Sequence, residues 1–124
     1  MFHSRLPKFC KRDFTIESNI MARLKTAAEC ETREDVRHEI DRLDTAVVDL
    51  LAERWEYVDR MWQIKNNAAE AVVPWRIQVV IDRVRARAEE KGMPPELAEA
   101  LWRQIIGWAI QYEEEKMNER DGEA

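Results

Sequence analysis

Val36, Ile40, Leu43, Val47, Leu50, Arg54, Tyr57, Met61 and Ile64 follow one another at alternating intervals of four and three residues, the spacing that lines side chains along one face of an α-helix. Neither glycine nor proline interrupts the chain from Glu31 to Asn67. The pattern therefore predicts one long amphipathic helix. Thr32 is its N-cap, and Glu34 and Asp35 favour the positive end of the helix dipole. At about 1.5 Å per residue such a helix is roughly 50 Å long, against a radius of gyration of about 14 Å for a compact monomer of this size. It must overhang its own globule, so the seam predicts a second copy of the chain as its cover, in an intertwined homodimer. One seam position is charged, and Arg54 there calls for an anion.

The pattern loosens over Asn66 to Val73, and Pro74 fits the first turn of a second, short helix. Ile77, Val80, Ile81 and Val84 keep helical spacing until Lys91-Gly92, a typical helix end. Pro94-Pro95 opens a third, intermediate helix expected to reach about Glu119. Leu97, Leu101, Ile105, Trp108 and Tyr112 form one apolar stripe on it, and Trp102, Ile106 and Ala109 an adjoining one. No strand-like alternation occurs, so the predicted class is all-α with three helices. Residues 1–30, which hold Pro7 and mixed charge without a sustained period, are expected to be a flexible extension. Residues 31–119 form the helical domain, and 120–124 a tail.

Composition narrows the function. With a formal net charge of -5 and a pI near 5.2, the chain lacks the basic face of a nucleic-acid binder. Its two cysteines, Cys10 and Cys30, make no disulfide framework, no apolar run is long enough to cross a membrane, and no secretory signal stands out. The expected location is the cytoplasm. His3 and His38 have no cysteine at ligand spacing, so no metal site is expected. Isolated glycines exclude a phosphate loop, and no Ser/His or Cys/His nucleophile can be assembled. The five tryptophans read as core and dimer contacts. Gly107, inside the third helix, implies close helix contact or substrate approach.

What remains is a set of cations on helices. Lys65 lies eleven residues after Arg54, within about 20° of the same face and roughly 16 Å along the axis. Two long side chains leaning together leave room for one small anion between them. Arg37 points about 100° away from Arg54, so in an intertwined dimer it is expected to enter the partner's pocket.

These residues carry a resemblance. Arg37-x-x-Ile40-Asp41-x-x-Asp44, Leu50-Leu51-Ala52-Glu53-Arg54, Val58, Lys65, Arg76 and Gln104-Ile105-Ile106 leading to Glu113 resemble, in order and spacing, the all-helical chorismate mutase family over about residues 31 to 117. The interval from Lys65 to Arg76, Ala88-Glu89-Glu90-x-Gly92 and Gln104-Ile105-Ile106-x-Trp108 are most similar to its stand-alone branch, which includes the isochorismate pyruvate-lyases. The resemblance implies a three-helix protomer in an intertwined dimer with two shared active sites. It also implies that Arg54 and the partner chain's Arg37 bind the two carboxylates of a dicarboxylate substrate, that Lys65 donates to the ether oxygen of the enolpyruvyl group, and that Arg76 closes the pocket. No cofactor is implied.

Two positions depart from the family pattern. Many mutases carry glutamine where this chain has Glu113, which donates to the ether oxygen only when protonated. At the start of the second helix, where acidic groups usually hold the ring hydroxyl of chorismate, the sequence reads Pro74-Trp75-Arg76-Ile77-Gln78, leaving Gln78 as the acceptor. The leading expectation is conversion of chorismate to prephenate. The alternatives are cleavage of isochorismate to salicylate and pyruvate, and a non-catalytic helical dimerisation or regulatory module. A module would pair Arg37, Arg54 and Lys65 off with acids.

Overall fold

A computed structural model describes residues 24–66 and 73–122. Expectations for residues 1–23, including Cys10 and most of the extension, lie outside the described residues, as does the centre of the connection between the first two helices. Among the described residues the chain has a 3-10 helix, Ala27–Glu29, three α-helices and no strand: α1 (Arg33–Ile64), α2 (Pro74–Glu90) and α3 (Pro95–Gly122). It divides into two compact units, one up to Glu56 and one from Tyr57 onward, and α1 contributes to both.

In the first unit, α1 starts where the sequence places its cap. Thr32 Oγ1 accepts from the Asp35 N–H at 3.0 Å, and Asp35 Oδ2 accepts from the Thr32 N–H at 3.3 Å. This reciprocal pair satisfies two donors at the helix start. Asp35 also accepts from the Glu31 N–H and from Lys25 Nζ, each at 3.0 Å. The Glu31 N–H first and the Lys25 ammonium second pull its carboxyl down to about 2. The N–H groups of Leu24 and Lys25 donate to Glu39 Oε2 at 3.0 and 3.2 Å, so the described end of the extension is tied to α1. Ala46 is buried. The seam is not: Val36, Ile40, Leu43, Val47 and Leu50 remain 44–51 % exposed.

The second unit holds the last turns of α1 together with α2 and α3. Pro74 occupies the first helical position of α2, where its missing N–H costs nothing. The helix stops in a complete glycine-terminated cap: Met93 N–H donates to Ala88 O at 2.9 Å, Gly92 N–H donates to Glu89 O at 3.2 Å, and Gly92 has φ 79°. α2 packs against α3; Ile81 and Ala88 of α2 and Ala98, Ala109 and Met117 of α3 are buried, and Arg85 bridges to Glu99 at 2.7 Å.

The inward stripe of α3 is not the one led by leucines. Leu97, Leu101 and Trp108 stay 46–63 % exposed, while the adjoining stripe through Ala98, Trp102, Ala109, Glu113 and Met117 turns inward. Small residues at Ala98 and Ala109 let the helices approach, and the bulkier stripe is left outside. At Gly107 one of the two expectations, close helix contact, is not met. A Cβ placed there meets nothing within 4 Å, so no close helix contact in the protomer requires it. Two further expectations on length are revised: α1 closes at Ile64, and α3 continues to Gly122.

Candidate active site

The last turns of α1 and the middle of α3 bring together two of the residues singled out from the sequence. Lys65, just beyond the end of α1, donates from Nζ to Glu113 Oε1 at 2.8 Å. The two side chains are 18 % and 9 % exposed. Glu113 is thus the buried member of the run Glu113-Glu114-Glu115, whose last residue is exposed. A carboxylate turned into an apolar helix face survives there because an ammonium meets it, and removing either partner leaves the other without compensation. The pair offers two kinds of group at one point: ammonium protons that can be redirected to an oxygen, and a carboxyl that can hold or give a proton.

A second cluster lies within two turns of Lys65 on α1. The Tyr112 hydroxyl donates to Asp59 Oδ1 at 2.6 Å, and the Trp62 indole N–H donates to the same oxygen at 2.9 Å. Both distances are short, as charge-assisted bonds are. The Tyr112 hydroxyl, and next the Trp62 N–H, hold the Asp59 carboxyl below its usual range. In return Asp59 pushes the Tyr112 phenol up to about 12. Trp108 stacks on the Tyr112 ring at 5.9 Å between centroids, and Lys116 Nζ lies 5.7 Å over it. Tyr112 precedes Glu113, and Asp59 precedes Lys65 by less than two turns. The cluster therefore locks the helix pair that sets the Lys65–Glu113 distance. The only local signal was the Asp59-x-x-Trp62 interval, since Tyr112 lies 53 residues away.

The remaining candidates are placed differently. Arg37 is exposed and bonds to Glu34 one turn back at 3.6 Å, a surface pair of little energy that leaves the guanidinium recruitable. Arg54 is half-buried. Arg76 and Gln78 are both exposed in the first turns of α2. Two residues apart on a helix they point about 200° from each other, so they flank the inward Ile77 on opposite sides and do not face one small ligand together. Gln78 Nε2 donates to Asp82 Oδ1 at 2.8 Å, which leaves its carbonyl oxygen as the group on offer. No three His, Cys, Asp or Glu among the described residues could hold a metal ion together, and no described helix is long and apolar enough to cross a membrane.

Comparison with known proteins gives matches of two kinds, a family model and individual relatives. The family model described as chorismate mutase type II matches residues 36–114. An isochorismate pyruvate lyase of Pseudomonas aeruginosa is 33% identical over 87 residues, covering 70% of this chain and 86% of that protein. The T-protein of Enterobacter agglomerans is 33% identical over 82 residues, covering 65% of this chain and 22% of that protein. The matched region contains both the seam of α1 and the Lys65–Glu113 pair.

Proposed function

The chain belongs to the chorismate mutase type II family, and from that premise we propose that it is an enzyme rearranging chorismate to prephenate. Lys65 and Arg37 are each paired with an acid in the protomer, as the module reading also expects, so the observation that carries the proposal is the family match over residues 36–114, which takes in Arg37, Arg54, Lys65 and Glu113 together. A pericyclic reaction of an enolpyruvyl ether needs no acid, base or nucleophile. It needs the enolpyruvyl arm held over the ring and the ether oxygen stabilised as its bond to the ring breaks and charge gathers on it. Lys65 suits that oxygen as a compact point charge; as its ammonium turns from Glu113 to the ether oxygen, a Glu113 carboxylate that takes a proton from solvent becomes the second donor.

The two substrate carboxylates go to arginines, whose planar forks match them: Arg54, and Arg37 from a second copy of the chain in an intertwined homodimer. The exposed seam of α1 supports that assembly, because a stripe from Val36 to Ile64 left in water is a surface awaiting a partner. Gln78, with its amide nitrogen taken by Asp82, offers its carbonyl oxygen to the ring hydroxyl. Arg76, on the other flank of α2, is the alternative closing residue.

A second reading is favoured by two observations. The chain spans 86% of a relative named isochorismate pyruvate lyase, and the start of α2 carries Trp75 and Arg76 with no carboxylate. The same site would then release pyruvate from isochorismate and leave salicylate. Incubating the purified protein separately with chorismate and isochorismate, and identifying prephenate or salicylate plus pyruvate, distinguishes the two. Neither product from either substrate removes both readings and leaves a helical dimerisation module.

A further inference from the structure

Lys65 lies past the last residue of α1, where a helix ordinarily frays, and its own last hydrogen bond into the helix is Lys65 N–H to Met61 O at 3.1 Å. The last turn of α1 contains no basic residue to answer the carbonyls exposed at its end. Arg120, at the far end of α3, supplies one. Its Nη1 donates to Trp62 O at 3.1 Å and to Lys65 O at 3.2 Å, and its Nη2 donates to Asn66 O at 3.4 Å. Asp121 holds the other edge of the fork, accepting from Nε at 2.8 Å and from Nη2 at 3.4 Å. All five N–H donors of the guanidinium are thus used. Three of them bind backbone carbonyls at the end of α1, and the middle one is the carbonyl of Lys65.

We infer that Arg120 is a positioning residue for Lys65. It caps α1 from another helix, and by fixing the peptide of Lys65 it fixes where the ammonium can reach. The inference rests on the role given to Lys65 in the proposed reaction. Arg120 touches no substrate. Its effect passes through the backbone, so it belongs to the chemical step more than to substrate capture, since displacing a charged donor by about 1 Å can cost a hundredfold in rate. A lysine at this position keeps the charge near the helix end but cannot span three carbonyls.

The test compares wild type, Arg120→Met, Arg120→Lys and, as a control for losing a surface arginine, Arg87→Met, whose guanidinium is exposed and bonded only one turn away to Glu90 at 2.9 Å. On whichever substrate the wild type turns over, kcat of Arg120→Met is expected to fall by roughly tenfold to a hundredfold with KM within about twofold. Arg120→Lys should lie between the two, and Arg87→Met should match wild type. Added guanidinium ion should restore part of the lost rate in Arg120→Met. A second readout does not depend on turnover: the carbonyl carbon and ammonium nitrogen resonances of Lys65 should shift in Arg120→Met and not in Arg87→Met. If wild type turns over neither substrate, the proposed reaction fails while these resonances still decide whether Arg120 holds Lys65. Unshifted Lys65 resonances, or a lower melting temperature with kcat per folded molecule unchanged, overturn the inference.

Discussion

Glu113 accepts from Lys65 at 2.8 Å, and two substitutions read its place in the chemistry. Glutamine is a donor of nearly the same shape, so Glu113→Gln should keep turnover, whereas Glu113→Ala, which removes one transition-state hydrogen bond, should lower the rate by roughly a hundredfold. A wild-type rate in Glu113→Ala would take Glu113 out of the chemistry. Tyr112 provides a check on its neighbourhood. With its phenol pushed up to about 12 by Asp59, it should ionise about two units later than a free tyrosine. The difference in phenolate absorbance between wild type and Tyr112→Phe reads this directly. The signs differ for the two partners. The depressed Asp59 stabilises the fold above the usual carboxylate range and loses that effect as pH falls. The raised Tyr112 stabilises it below about pH 10 and loses that effect as pH climbs toward 12. Tyr112→Phe should accordingly cost about 1 kcal/mol near neutral pH and less at either extreme.

Among the elements, what the sequence made legible was whatever depends on neighbours along the chain. The Thr32 cap, the Pro74 start and the Gly92 stop need only local backbone chemistry, and each is where the residue pattern places it. Gly92 sits at φ 79°, a conformation that costs an L side chain about 1 kcal/mol. Gly92→Ala should lower the stability of the chain by about that amount in urea denaturation, although a Cβ there meets nothing within 4 Å. A neutral result would mean the turn readily adopts another conformation. The inward face of α3 was less legible, because two neighbouring stripes are both apolar and periodicity cannot rank them. Packing ranks them through Ala98 and Ala109, which allow close approach. Arg120 was not legible at all. Its carbonyl partners lie 54 to 58 residues away, and a carbonyl carries no signature in the sequence. Lys65 came forward through its spacing from Arg54, and Glu113 through the resemblance; that the two meet, 48 residues apart, was not legible, nor was the Asp59 cluster that steadies them.

For the whole molecule, assembly decides whether the site is complete. A seam of eight large apolar residues, Val36, Ile40, Leu43, Val47, Leu50, Tyr57, Met61 and Ile64, is 44–64 % exposed, and Leu97, Leu101 and Trp108 add a second uncovered stripe on α3. Sedimentation at micromolar concentration is expected to give a dimer, and Leu50→Glu, which places a charge in the seam, should give a monomer without turnover. In the proposed dimer each active site takes Arg54 from one chain and Arg37 from the other. The direct measurement is complementation. Arg54→Ala and Arg37→Ala homodimers should each be inactive and folded. After subunit exchange at equal concentrations, half the dimers are mixed and each has one intact site, so activity should return to about one quarter of wild type. No activity in verified mixed dimers would contradict the shared site and the function built on it.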